Sequence, residues 1–82
     1  MDGNTLPARL RMNRRARDLM VEEYPMTEAD IRAVASEEWL YDGRVSSYVG
    51  IGRFVMGLAD CIRIETPELK QYVVRFAREH LL

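Results

Sequence analysis

The sequence predicts an α+β fold, and three patterns carry the prediction. Residues 6–13 alternate apolar and basic, with Ala8, Leu10 and Met12 on one side and Arg9 and Arg11 on the other. That two-residue period is the mark of a half-buried strand. Apolar residues then recur at helical spacing in 14–23 and again in 48–58. Each of these helical stretches follows a residue able to cap it, Asn13 in the first case and Ser46 or Ser47 in the second.

Taken in order, residues 1–5 are polar and contain a glycine, and read as a loose lead-in to a single domain over 6–82. The first strand, 6–13, feeds a helix over 14–23 whose inward residues are Ala16, Leu19 and Met20. Tyr24-Pro25 ends it, because the residue before a proline avoids the helical region. A connector over 26–30 follows, with Thr27 available to cap a short turn. The second strand, 31–36, is weak, since Ala33 and Ala35 have low strand propensity. Glu37-Glu38 is the expected hairpin turn. The third strand, 39–45, puts Trp39, Tyr41 and Val45 on one face and Leu40, Asp42 and Arg44 on the other. Gly43 within it marks a bulge or a close approach.

The second helix, 48–58, has Ile51, Phe54, Val55 and Leu58 as its apolar stripe. Gly50, Gly52 and Gly57 weaken it by up to about 1 kcal/mol each against alanine, and suit close packing. Ala59 and Asp60 link it to a last strand over 61–65. There the chain turns into a terminal helix. Thr66 can cap that helix, Pro67 fits its first position, and Glu68 suits its dipole. Leu69, Val73, Phe76 and Ala77 give it an apolar stripe.

Strand, helix, strand, strand, helix, strand is a split β-α-β repeat, the ferredoxin-like βαββαβ sandwich, here with an added C-terminal helix. Right-handed crossovers place both internal helices on one face of a four-stranded sheet. In this arrangement the first and fourth strands pair. The other sheet face is left without helices.

Composition narrows the classes. A chain of 82 residues, 48% hydrophobic and 30% charged, fits one small folded domain. One cysteine, Cys61, cannot form an internal disulfide, so a reducing and hence cytoplasmic compartment is expected. No apolar run reaches the ~18 residues that a membrane span needs, and no signal-peptide pattern opens the chain. The net charge of -1 gives no general attraction to nucleic acid. The basic residues are eleven arginines and one lysine, Lys70. Arginine presents a planar fork that pairs with carboxylate or phosphate.

No catalytic set emerges, so an enzyme is not expected. His80 is the only histidine and reads as a residue of the last helix turn. Cys61 with His80 falls short of the four ligands of a structural zinc site. Neither a metal nor a cofactor is expected. Gly50-Ile51-Gly52 is not a dinucleotide fingerprint, because Val55 stands where the third glycine belongs. The acidic pairs Glu22-Glu23 and Glu37-Glu38 read as solvated surface.

Two surfaces remain as candidates. Alternation sends Arg9, Arg11, Arg32, Arg44 and Arg63 to the helix-free sheet face, partly offset by Asp42 and Glu65. Such a platform suits an anionic effector or a nucleic acid. RNA-reading sheets also expose aromatics, whereas Trp39 and Tyr41 are expected to point inward here. The terminal helix carries more apolar surface than one stripe needs. Tyr72, Val73, Phe76 and Leu81 are its candidate dimer contacts.

Three stretches carry a resemblance. The first is Ala8-Arg9-Leu10-Arg11-Met12 with a helix ending Glu22-Glu23-Tyr24-Pro25. The second is Trp39-Leu40-Tyr41 with Val45-Ser46-Ser47-Tyr48-Val49-Gly50-Ile51-Gly52-Arg53-Phe54-Val55. The third is Gly57-Leu58 with Ile62-Arg63-Ile64-Glu65-Thr66-Pro67-Glu68-Leu69. In order and spacing they resemble the C-terminal extension (WCX) that follows the WYL domain in bacterial transcriptional regulators. The resemblance implies a non-catalytic domain that helps to sense an effector and to dimerise the parent protein. It also implies partners in one longer chain: a helix-turn-helix DNA-binding domain and a WYL domain. This sequence contains neither, and Trp39-Leu40-Tyr41 is only a permutation of the WYL letters. An excised domain is therefore the expectation. The alternative is a purely structural dimerisation module without a ligand.

Overall fold

The computed structural model describes residues 4–80. It is a small α+β structure with a four-stranded antiparallel sheet and three helices. The elements are β1 (Leu6–Met12), α1 (Arg14–Glu23), β2 (Ile31–Ala35), β3 (Glu38–Val45), α2 (Tyr48–Gly57), β4 (Ile62–Ile64) and α3 (Pro67–His80). Short 3-10 turns fill Pro25–Asp30 and Ala59–Cys61. Of the lead-in expected over 1–5, only Asn4 and Thr5 are described, and they precede β1 without regular structure.

The strand order is β2-β3-β1-β4, so β1 and β3 are central. β1 pairs with β3 along its whole length, from Leu6 opposite Val45 to Met12 opposite Trp39. On its other side it pairs with β4, Leu10 opposite Ile64 and Met12 opposite Ile62. β4 is shorter than the expected 61–65, because Cys61 belongs to the preceding 3-10 turn. The hairpin turn is Ser36-Glu37, one residue earlier than expected, which makes Glu38 the first residue of β3. Glu37 takes a positive φ of 60° there, a conformation that costs a non-glycine residue free energy. The sheet's irregularity lies between Ala33 and Ala35 of β2. Gly43 sits in unbroken register with Ala8, so it marks no bulge. A Cβ there would come within 2.6 Å of the Tyr41 hydroxyl, so the glycine makes room for that ring.

All three helices contribute to one core. Ala8, Leu10 and Met12 of β1 and Tyr41 of β3 meet Ala16 and Met20 of α1, Tyr48, Phe54 and Val55 of α2, and Leu69 of α3. Both internal helices begin at the expected caps: Asn13 accepts from Ala16 N–H at 3.0 Å, and Ser47 from Val49 N–H at 3.0 Å. Tyr48 was not among the expected apolar stripe. It is buried, and its hydroxyl donates to Pro7 O at 2.7 Å. Burial pushes the phenol of Tyr41 above its ordinary pKa, and that of Tyr48 as well. Thr27 does not cap a turn; its hydroxyl donates back to Tyr24 O at 2.7 Å.

Thr66 is buried and serves the sheet. Its hydroxyl accepts the Arg9 N–H at 2.8 Å, while Glu65 N–H donates to Arg9 O at 2.8 Å. These two bonds continue the β1–β4 pairing beyond β4 and fix where α3 starts. α3 then packs on α2 and β4 with Leu69 wholly buried and Tyr72 and Val73 against the core. Gly52 of α2 sits under the Tyr72 ring, where a Cβ would come within 2.9 Å of Cε1. Gly57 has nothing within 4 Å of the same position.

The two glycines should therefore respond oppositely to alanine. Gly57→Ala is expected to raise the urea midpoint, by up to about 1 kcal/mol of stability. Gly52→Ala is expected to lower it by about 1 kcal/mol or more, because the gain in propensity is exceeded by the displaced ring. Equal shifts of the same sign would contradict this packing of α2 on α3.

Candidate anion-binding face

The side of the sheet away from the helices is built by alternation. Since Ala8, Leu10 and Met12 point at the helices, Arg9 and Arg11 point away. Register carries the same side to the neighbours. Arg9 stands opposite Asp42 and Arg11 opposite Leu40 on β3; Arg11 stands opposite Arg63 on β4; Arg32 on β2 stands opposite Leu40. Arg44 stands opposite Pro7. All five expected arginines thus share one sheet face.

Leu40 lies at the middle of this face and is only 1% exposed, yet it does not join the helix-side core. Its ladder neighbours are Arg11 on one side and Arg32 on the other. Arginine stems bury apolar surface while their charged ends stay in water. We attribute the burial of Leu40 to those stems, which are thereby laid over the sheet.

Carboxylates order the guanidinium groups. Glu65 reaches both central arginines: its Oε1 lies 3.4 Å from Arg9 Nε, and its Oε2 accepts from Arg11 Nε. Arg11 also donates through Nη1 to Glu38 at 3.0 Å, and Arg9 Nη1 lies 3.8 Å from Asp42. Hydrogen bonds to Glu65 and then Glu38 raise the Arg11 pKa further above its already high value, so this group stays charged. They also offset the like charge of Arg63 directly opposite. Arg44 is held differently, donating to Thr5 Oγ1 at 2.6 Å and Thr5 O at 2.9 Å. Among the described residues, Arg32 and Arg63 have no carboxylate within 4.0 Å.

Asp42 and Glu65 offset the arginines as expected. Glu38, a turn residue by its sequence position, is instead the first residue of β3 and a partner of Arg11. The one-residue shift of the hairpin brings it onto the face. An open cleft of about 450 Å³ bounds the face at the hairpin end, with Arg11, Arg63, Glu38, Asp60 and Cys61 among its lining residues.

A second cationic cluster lies on the helix side. Arg14 and Arg17 of α1 stand over the Trp39 ring, at 5.1 and 4.8 Å from its centroid. Arg14 also grips Glu37 through two bonds of 3.1 and 2.7 Å. That bond holds the Glu37 carboxyl below its ordinary pKa. Its contribution is present above the unfolded value of about 4.3 and is lost as pH falls through the folded one. The Arg17 Nε lies 3.0 Å from Asp18 Oδ1, but the approach does not make a hydrogen bond, and this buried N–H is left without an acceptor. Trp39 is thus pinned to α1, so it cannot serve as a stacking platform on the arginine face.

The terminal-helix residues divide. Tyr72 and Val73 are half-buried against the core. Phe76 is stacked between Tyr72 and His80, at 6.2 and 4.1 Å between ring centres. Leu81 lies outside the described residues. On the outer side Val74 is 46% exposed, near Lys70, Arg75 and Arg78. Cys61 is a free, half-buried thiol, and His80 lies in α3 with its Nδ1 3.0 Å from Phe76 O of the same helix. Among the described residues no three His, Cys, Asp or Glu side chains group to hold a metal ion, and no helix is long and apolar enough to cross a membrane.

No protein-family model, curated protein or solved structure matches the chain.

Leu40 offers a direct check on the arginine layer. Leu40→Ala is expected to cost about 2–3 kcal/mol in urea unfolding, as for a core leucine. A cost below about 0.5 kcal/mol would mean that the stems do not bury it.

Proposed function

We propose that this chain is a ligand-sensing domain whose arginine face binds a phosphate-bearing polymer, a single-stranded nucleic acid in the first instance. The observation that supports it most is the gathering of five arginines on the one sheet face that carries no helix. Their charge stands against three carboxylates there, within a chain of net charge -1. A positive patch on an otherwise balanced protein attracts anions locally. Arginine forks on a flat surface suit phosphate recognition without requiring base readout.

The strand order β2-β3-β1-β4 and the β-α-β-β-α-β element order support reading the fold as a ferredoxin-like sandwich with an added C-terminal helix. Together with the three quoted stretches, they support reading the chain as the C-terminal extension of a WYL-type transcriptional regulator. In that reading the domain is non-catalytic and acts in the cytoplasm. It senses an anionic effector and works with a WYL and a helix-turn-helix domain of a longer, homodimeric parent. α3, an addition to the six-element repeat, is then the element closest to a partner domain.

The alternative, a structural dimerisation module without a ligand, has less behind it. Tyr72 and Val73 are engaged within the chain, and Val74 sits among Lys70, Arg75 and Arg78. A two-fold contact through that side of α3 would bring like charges together.

Fluorescence anisotropy with a short labelled single-stranded oligonucleotide tests the main reading. Wild type is expected to bind with an affinity that falls as salt rises, and Arg11→Ala/Arg63→Ala to bind at least about tenfold more weakly with a shallower salt slope. Equal affinity in both proteins would remove the platform. Sedimentation of the same chain at high concentration tests the alternative: a dimer dissociated by Val74→Glu would favour the module, and a monomer would count against it.

A further inference from the structure

We propose that Glu65 is a resident competitor in the anion site, a tethered carboxylate that a ligand's phosphate must displace. The inference rests on the anion-binding reading above and adds what decides ligand class. Among the described residues, Glu65 is the one carboxylate that touches both central arginines, with one oxygen toward Arg9 and the other toward Arg11. Two oxygens of one group bridging two guanidinium forks is the arrangement a phosphate would take. Asp42 and Glu38 each reach only one of the pair.

The position of Glu65 is fixed by the backbone. Its N–H donates to Arg9 O at 2.8 Å, and the next residue, Thr66, accepts from Arg9 N–H at 2.8 Å. The carboxylate is therefore delivered to the two arginines by the same strand joint that starts α3. Its side chain is 25% exposed, so solvent and ligand can reach it. A tethered group competes at a high effective concentration. A single free phosphate meets that competition alone. A chain of phosphates does not, because it first engages Arg32 and Arg63, which have no carboxylate within 4.0 Å among the described residues. Once held there, its next phosphate also competes as a tethered group. Glu65 thus selects a phosphodiester strand over a monophosphate.

The test compares Glu65→Gln with Glu22→Gln, which removes the same charge from an exposed position on α1. Binding of a short single-stranded oligonucleotide and of inorganic phosphate is measured for both and for wild type. Glu65→Gln keeps the size and removes the competing charge. It is expected to tighten the oligonucleotide by about three- to tenfold and to make phosphate binding measurable, while Glu22→Gln matches wild type. Glu65→Asp, which keeps the charge but draws it back from the arginines, should fall between. It serves as the second variant if the glutamine form unfolds. If wild type binds and Glu65→Gln changes nothing, or changes no more than Glu22→Gln, the competitor role is overturned and the platform stands. If neither wild type nor Glu65→Gln binds the oligonucleotide, the platform itself falls, and this inference with it.

Discussion

The two-residue period of β1, held between two strands, is the constraint on which the other features depend. β1 has β3 on one side and β4 on the other. Its register is locked along all seven residues by β3 and extended past β4 by the Thr66 hydroxyl. A slip of one residue would send Arg9 and Arg11 into the core and Leu10 into water. The same alternation therefore fixes the core and the arginine face at once. Any ligand chemistry on that face inherits the rigidity of the central strand.

The face is not a bare positive surface. Two of its arginines are tied into a network with Glu38, Asp42 and Glu65, and a third is tied to Thr5. Exposed ion pairs of this kind contribute little to stability, because solvent screens them. Their consequence is geometric: they fix where the guanidinium groups of Arg9 and Arg11 lie on the face. In the proposed binding role, the same geometry puts the Glu65 carboxylate in the place a ligand's phosphate would take.

Much of this was legible in the sequence. The alternation in 6–13 and 39–45 located Arg9, Arg11 and Arg44, the shorter strands over 31–36 and 61–65 added Arg32 and Arg63, and Asn13 and the Ser46-Ser47 pair located two helix starts. What stayed hidden depends on contacts distant in sequence. Leu40 has a solvent-side position by its period, yet it is buried between Arg11 and Arg32, its ladder partners on two other strands. Glu38 entered the face because the turn closed at Ser36-Glu37, a shift that local propensity cannot fix. Thr66 is a natural cap by sequence, but its hydroxyl is used 57 residues away in the chain. Part of the apolar excess of α3 resolved in the same way: Tyr72 found Gly52, a partner that a periodicity argument cannot assign.

The most direct test of the central claim is an NMR titration that follows the arginine Nε–H signals as a short single-stranded oligonucleotide is added. The account predicts shifts concentrated at Arg9, Arg11, Arg32, Arg44 and Arg63, with Arg14 and Arg17 unmoved. Shifts confined to Arg75 and Arg78 on α3, or absent at every arginine while the oligonucleotide is bound, would contradict it.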